Sequence, residues 1–299
     1  MWRALTQWWR GTPRAADNPP VEQLRQARPA AAPGGPQPSD TDIARLFTAT
    51  LLGAPALRDE APTAAEQIVL KRLENAVRAG GEEQLVPRMP SVLPKLMRLL
   101  RRDDVAVHEL IDLLEREPAL LGEVMRVANS PLYAGTQTLT SLDAAIALLG
   151  QQGIQQVVTR AAMVPVFDLA QGRFGASSGT LLLDQANACA HDCAMRRIGF
   201  TDHFDAYLAG MVANTGLIVA LRLFDQQQVT AAPVSFAFHD RLATLSAHVS
   251  AHIARQWRLS EAVAVAVESL AQPAQAEASG LAAALRLADQ ASTVQVLTR

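Results

Sequence analysis

The chain has 299 residues, enough for one or two domains with a sizeable core. Apolar residues make up 49% and aromatics 5%, and the formal net charge of -2 lacks the basic excess that would point to nucleic acid. Two cysteines exclude a disulfide framework and make a reducing cytoplasm the default compartment. Alanine and leucine dominate and β-branched runs are short, which favours an all-α protein. No window offers the roughly 18 uncharged apolar residues of a membrane span. The nearest candidate, Leu208 to Phe224, carries Asn214, Thr215 and Arg222 and reads as a buried helix.

Residues 1–38 stand apart from the rest. They hold seven prolines, and five arginines against Asp17 and Glu22 give them a net +3. By composition this is a disordered basic arm. Its tip, MWRALTQWWR, would place Trp2, Leu5 and Trp9 on one side of a helix with Trp8 beside them. Arg3, Gln7 and Arg10 would lie opposite. Two readings are open: a frayed tail, because so short a helix is marginal alone, or a segment that docks in a partner groove or on a membrane surface. The tip has no continuous apolar core of the kind a signal peptide needs.

Residues 39–85 predict a helical extension. Ile43, Leu46, Phe47, Thr50 and Leu51 form one apolar face, which Gly53-Ala54-Pro55 ends. A second helix over about 64–79 turns Ile68, Leu70, Leu73 and Val77 inward, and Gly80-Gly81 stops it. Beyond a proline-stiffened lead-in at Pro87 and Pro90, Ser91 can cap a helix bearing Leu93, Leu96, Met97 and Leu100. A further helix from Asp103-Asp104 carries Val107, Leu110, Ile111 and Leu114, with His108 among its solvated positions.

The most informative stretch runs from Glu117 to Gly150. Pro118 suits the first helical position, and Leu121, Val124, Met125 and Ala128 recur at helical spacing. Asn129-Ser130-Pro131 ends that helix, because the proline keeps Ser130 out of the α region. Thr140 is the expected N-cap of the next helix, with Asp143 placed as in a capping box. Leu142, Ala145, Ile146 and Leu149 give its buried face, and Gly150 can take a left-handed C-cap. Gly153 to Phe167 supplies another helix, and the Gly/Ser-rich segment 172–179 reads as a break between two helical subdomains.

Pro-Ala-Leu from Pro118, Ala-Asn-Ser-Pro-Leu-Tyr from Ala128, and Thr-Ser-Leu-Asp-Ala-Ala-Ile-Ala-Leu-Leu-Gly from Thr140 resemble the HDOD family of bacterial signalling proteins. The resemblance spans roughly residues 86–290. It implies an N-terminal helical subdomain over 86–171 and an HD-like helical subdomain over 180–290. The family resembles the HD phosphohydrolases, in which histidines and a central His-Asp pair hold a divalent cation that lowers the pKa of an attacking water. On that resemblance the pair follows Leu208-Ala209-Gly210, where this chain has Ala213 and Asn214. Alanine cannot ligate, and an asparagine carbonyl is a weak neutral ligand. The flanking histidine positions fall near Leu183, Ser246 and Ser269-Leu270, so every expected ligand position reads as replaced.

The His-Asp pairs that do occur have simpler readings. His191-Asp192 points away from a buried stripe of Leu182, Ala186, Cys189 and Cys193, and Asp240 after His239 reads as a cap or first-turn acid. Cys189 and Cys193 read as small buried thiols. His248 and His252 have helical zinc-pair spacing but no obvious third ligand. Trp257-Arg258-Leu259-Ser260 resembles the family's tryptophan turn, with Trp257 in the core and Ser260 capping a helix over 261–271. A last helix covers 281–288, and the chain either continues it or frays after Ser292.

The resemblance therefore implies a non-catalytic regulator without metal or cofactor. It would act by contact with signalling proteins such as a response regulator or a cyclic-di-GMP enzyme. The candidate contact surface is the turn of Asn129, Ser130, Pro131 and Tyr133, although Asn129 can also serve only as a cap and Tyr133 only as packing. The alternative is a metal-dependent phosphohydrolase acting on a nucleotide or cyclic dinucleotide through displaced ligands His191, Asp192, His248 and His252.

Overall fold

The computed structural model describes residues 39–54, 57–78, 86–100, 107–130, 133, 139–169, 172, 174–196, 202–227, 235–272 and 280–298. The N-terminal arm, with Trp2, Leu5, Trp8 and Trp9, lies outside the described residues, as do Asp103-Asp104 and Pro131. The described residues are all-α. In chain order the helices are α1 (Asp40–Leu51), α2 (Ala64–Val77), α3 (Leu93–Leu100), α4 (Val107–Glu115), α5 (Pro118–Ala128), α6 (Leu142–Met163), α7 (Gly175–Met195), α8 (His203–Val212), α9 (Thr215–Gln226), α10 (Phe236–Gln256), α11 (Glu261–Glu268) and α12 (Leu281–Leu297).

Helices α3 to α6 pack on one another, and α6 reaches across to α8. In the second half α7 is sandwiched by α8 and α12, while α10 packs on α9 and α11. The two N-terminal helices join this second group: α2 lies on α9 and α10, and α1 on α10 and α12. The weld between them is Glu66, a fully buried carboxylate. One of its oxygens accepts from Thr63 N at 2.6 Å, closing the capping box of α2. The other accepts from Ser235 N at 3.0 Å, at the start of α10.

The helix starts follow local chemistry, with some shifts from expectation. Pro118 occupies the first turn of α5, whose buried stripe is Leu120, Val124 and Ala128, while Leu121 and Met125 are half-buried. Helix α6 is capped by Ser141, whose Oγ accepts from Ala144 N at 3.2 Å, and Thr140 lies one residue outside. Gly150 sits at φ 66°, ψ 173° and breaks α6 into two segments. That region is essentially closed to other residues, and its ψ is extended rather than left-handed helical. On α1 the buried residues are Phe47, Thr48, Ala49 and Leu51, and on α2 Val69, Leu70, Leu73 and Ala76; Leu46 and Ile68 face outward. Phe47, Leu51, Leu70 and Leu73 are buried as expected, whereas Leu46 and Ile68 give way to Ala49, Ala76 and Glu66, which a face chosen by hydrophobicity alone does not pick out.

Ser177, Ser178 and Gly179 are not a loop but the first turns of α7. Their small size lets α7 approach the preceding segment closely: a Cβ on Gly179 would lie 2.2 Å from the Phe167 carbonyl oxygen. The Ser178 hydroxyl donates to Leu51 O at 3.0 Å. The apolar segment His203–Gln226 is long and apolar enough to cross a membrane, but it is two helices, mostly buried among the others. Three rings, Phe174, Phe224 and Phe238, stack edge to face through the centre of this half.

Candidate functional site

Ala213 and Asn214, where the resemblance expects a His-Asp pair, form the first candidate site. It lies between helices rather than inside one: α8 ends at Val212, and Ala213 and Asn214 form the turn into α9. Close backbone contact holds this corner. A Cβ on Gly210 would lie 2.4 Å from the Ala190 backbone of α7, and one on Gly216 would lie 2.1 Å from Ser246 O of α10. The Gly216 N–H donates to Ser250 Oγ at 2.8 Å. Ala213 is buried and makes no polar contact of its own side chain.

Asn214 turns its amide into a hydrogen-bonded group of side chains. Its Nδ2 donates to Gln185 Oε1 and to Asp289 Oδ1, both at 2.9 Å. Gln185, fully buried on α7, donates in turn to the same Asp289 oxygen at 2.9 Å and to Ser292 Oγ at 3.0 Å. Asp289 and Ser292 come from α12. Burial raises the Asp289 carboxyl above its ordinary value, while the hydrogen bonds from Asn214 and Gln185 pull the other way. An ionised carboxylate only accepts, so the asparagine and glutamine atoms facing it must be N–H donors.

This arrangement does not fit a divalent cation. A cation needs converging oxygen or imidazole lone pairs. Here the amide hydrogens of Asn214 and Gln185 both point at Oδ1 of Asp289, the carboxylate oxygen that faces them. Among the described residues, no three His, Cys, Asp or Glu side chains come together to hold a metal ion.

The positions at which the resemblance expects the other histidines carry no imidazole, and the two serines there each bond to the backbone three residues earlier. Half-buried Leu183 lies two residues from Gln185 on α7, Ser246 Oγ donates to Ala243 O at 3.0 Å, and Ser269 Oγ donates to Ala266 O at 2.6 Å. The Ser269 carbonyl accepts from Arg286 Nη2 at 3.2 Å, which brings a cationic side chain of α12 to that corner.

The displaced candidates are not brought together. His191 is exposed on α7, and Asp192 pairs with Arg196 at 2.7 Å. His248 Nδ1 lies 3.5 Å from Glu268, whose other oxygen accepts from Arg255 at 2.6 Å. The guanidinium hydrogen bonds hold Glu268 below the usual carboxylate range. His252 contacts Gln256 at 3.0 Å. His239 is buried against Asp240, and both lie in the second turn of α10, whose cap is Ser235. Asp240 is therefore not a cap; the backbone enters the helix earlier than the His-Asp pair suggested.

The expected buried thiol stripe is present: Leu182, Ala186, Cys189 and Cys193 are all inaccessible. Burial pushes the Cys193 thiol up to about 12 and the Cys189 thiol well above its ordinary value. Neither is a thiolate nucleophile at neutral pH.

The turn after α5 is built by Asn129. Its Nδ2 donates to Met125 O at 2.9 Å and to Leu139 O at 3.0 Å, and its Oδ1 accepts from Leu139 N at 2.6 Å. The side chain thus closes the base of the segment from Ser130 to Leu139 and is spent on the chain itself. Tyr133 N donates to Ser130 O at 3.0 Å, and the tyrosine is 41% exposed. Of the four turn residues, Tyr133 presents itself, Ser130 is half-buried, and Pro131 lies outside the described residues. Sequence reasoning missed Gln185, Asp289 and Ser292. Each is a polar residue on an otherwise apolar helix stripe, and that is the signal that could have flagged them.

Trp257 is buried, and its indole N–H donates to Pro87 O at 2.9 Å. It fixes the end of α10 to the lead-in of α3. Arg258 follows at φ 54°, and Ser260 caps α11, its Oγ accepting from Val263 N at 3.3 Å. The expected single helix over 261–271 is α11 followed by a 3-10 turn over Ser269–Ala271.

The HDOD domain family model matches residues 86–273. No curated protein matches the chain. Among solved structures, an HDOD domain protein of unknown function from Geobacter sulfurreducens is similar over 77% of this chain and 79% of its own, at 22% identity and a TM-score of 0.58. A candidate metal-dependent phosphohydrolase from Shewanella amazonensis SB2B covers 79% of this chain and 90% of its own, at 16% identity and a TM-score of 0.57. A candidate signal transduction protein from Marinobacter aquaeolei VT8 covers 85% of this chain and 55% of its own, at 16% identity and a TM-score of 0.51. At these identities the likeness is one of fold, and the family match over most of the chain supplies the rest: this protein belongs to the HDOD family.

Proposed function

We propose that the chain is a non-catalytic bacterial signalling module that works by protein contact, with a response regulator or a cyclic-di-GMP enzyme as the class of partner. The observation that supports this reading is the Asn214 corner, where amide N–H groups of Asn214 and Gln185 donate to one oxygen of the Asp289 carboxylate. A protein without the ligands has no metal-bound water with which to attack phosphorus. The signal-transduction description of the Marinobacter aquaeolei neighbour agrees with a regulatory role.

The contact surface in this reading is centred on Tyr133, which is exposed close to the Asn129 clamp. An exposed phenol next to the end of α5 suits a docking point, because an aromatic side chain offers a large contact area for little loss of conformational freedom. Two measurements test the reading together. After purification with manganese, iron and zinc supplied, the chain is expected to hold no stoichiometric metal and to hydrolyse neither nucleotides nor cyclic dinucleotides. Cross-linked affinity capture is expected to return a discrete signalling protein with wild type and to lose it with Tyr133→Ala. Stoichiometric metal with chelator-sensitive hydrolysis would overturn the proposal in favour of phosphohydrolysis.

A further inference from the structure

The outer face of α12 carries no charge. Its charged residues, Arg286 and Asp289, are both half-buried and hydrogen-bonded inward. What the helix presents to solvent is Leu287 (45% exposed), Ala291, Val294 (40% exposed) and Gln295. Leu287, Ala291 and Val294 recur at i, i+4 and i+7, so they form one stripe along the helix. A solvated helix face normally carries charged or strongly polar residues, and an uncharged apolar stripe marks a covered surface.

The chain itself contains a segment of matching character. The tip MWRALTQWWR places Trp2, Leu5 and Trp9 at i, i+3 and i+7, the spacing of a helix face that packs on another helix. The arm that bears it joins the fold at Ser39, the N-cap of α1, and α1 packs on α12. The linker from Gly11 to Pro38 spans about 30 Å on the flexible-coil relation and more where its seven prolines stiffen it, which is enough to reach along α12. Helix α12 is about 25 Å long. A tether of this length places the tip at a local concentration of about a millimolar, so even weak affinity is enough to seat it.

We propose that the tryptophan-rich tip docks in cis on the Leu287–Ala291–Val294 stripe of α12. The arm would thus be stored on the fold, with its tryptophans released when another surface competes for them.

The full chain labelled with 5-fluorotryptophan tests this directly. Four tryptophans give four fluorine resonances, which single Trp→Phe changes at positions 2, 8 and 9 would assign. Trp257 is buried in the core and reports whether the fold is intact. The expected result is that Trp2 and Trp9 are shifted from free-peptide positions and protected from the water isotope effect. In the Leu287→Glu/Val294→Glu double variant they should return to those positions while Trp257 stays unmoved. Three outcomes would overturn the proposal: tip resonances at free-peptide positions in the unmodified chain, shifted tip resonances indifferent to the double variant, or shifts that vanish on dilution. The last would mean docking on a second copy. Both substituted side chains are exposed, so the variant should fold; displacement of Trp257 would redirect the test to Ala291→Lys alone, judged by the same three outcomes.

Discussion

Two asparagines do opposite work in this fold. Asn129 bonds only to backbone, at Met125 and Leu139, and ties off one local segment. Asn214 bonds only to side chains, on α7 and α12, and joins elements far apart in sequence. The first clamp presents a residue, Tyr133, to the outside; the second fills a corner. A clamp on backbone survives changes in its neighbours' side chains, whereas a clamp on side chains depends on every member. The same residue type therefore closes a local segment in one half of the family region and builds an interdependent corner in the other.

The comparison can be broken most forcefully at Gly216, two residues beyond Asn214. Gly216→Ala would push a methyl into Ser246 O, and a loss of about 3 kcal/mol is expected, read by urea denaturation. Next comes Asp289→Ala. It strands the amides of Asn214 and Gln185 and should cost about 2 kcal/mol, while Asp289→Asn, which keeps an acceptor oxygen, should cost much less. If Asn214 is truly part of one unit, a double-mutant cycle between Asn214→Ala and Asp289→Ala should show a coupling of about 1 kcal/mol. A cycle between Asn214→Ala and Asn129→Ala should show none. Asn129→Ala itself should cost about 1.5 kcal/mol and reduce partner capture through Tyr133.

Acidity gives a gentler probe of the same contrast. Asp289 binds its proton more readily folded than unfolded. Its favourable contribution is therefore complete below the ordinary Asp value of 3.8 and is lost as pH rises through the higher folded value. Stability of Asp289→Asn relative to wild type should rise across that interval and then level off. A flat difference would show that the carboxylate is better solvated than its burial implies. The smallest effect concerns Cys189 and Cys193: native protein should react with a thiol reagent only after unfolding, because both thiols are inaccessible and protonated.

Much of the fold was legible because its signals are local. Pro118 at the start of α5, the left-handed φ of Gly150, and the Leu182–Ala186–Cys189–Cys193 stripe are all decided within a turn or two of helix. The corner was legible only by what it lacks, through the resemblance at Ala213-Asn214. Its partners are long-range: Gln185 and Asp289 lie 104 residues apart, and nothing in either neighbourhood names the other. Glu66 went unread for a related reason. Its capping position looks solvated in sequence, and only the arrival of Ser235 from α10 makes it buried.

Glu66 and Asp289 share one more property: both lie outside residues 86–273, the span of the family match. Evolutionary bookkeeping and physical cohesion thus draw different borders here. A chain trimmed to the inherited segment would lose α1, α2 and α12 together. That would uncover the apolar flanks of α7, α9 and α10 and leave the α10 start without its carboxylate. Such a fragment should be recovered as aggregate, whereas one spanning residues 39–299 should behave as an autonomous body. For this protein, heredity marks where the pattern is shared, and packing marks which helices hold the core together.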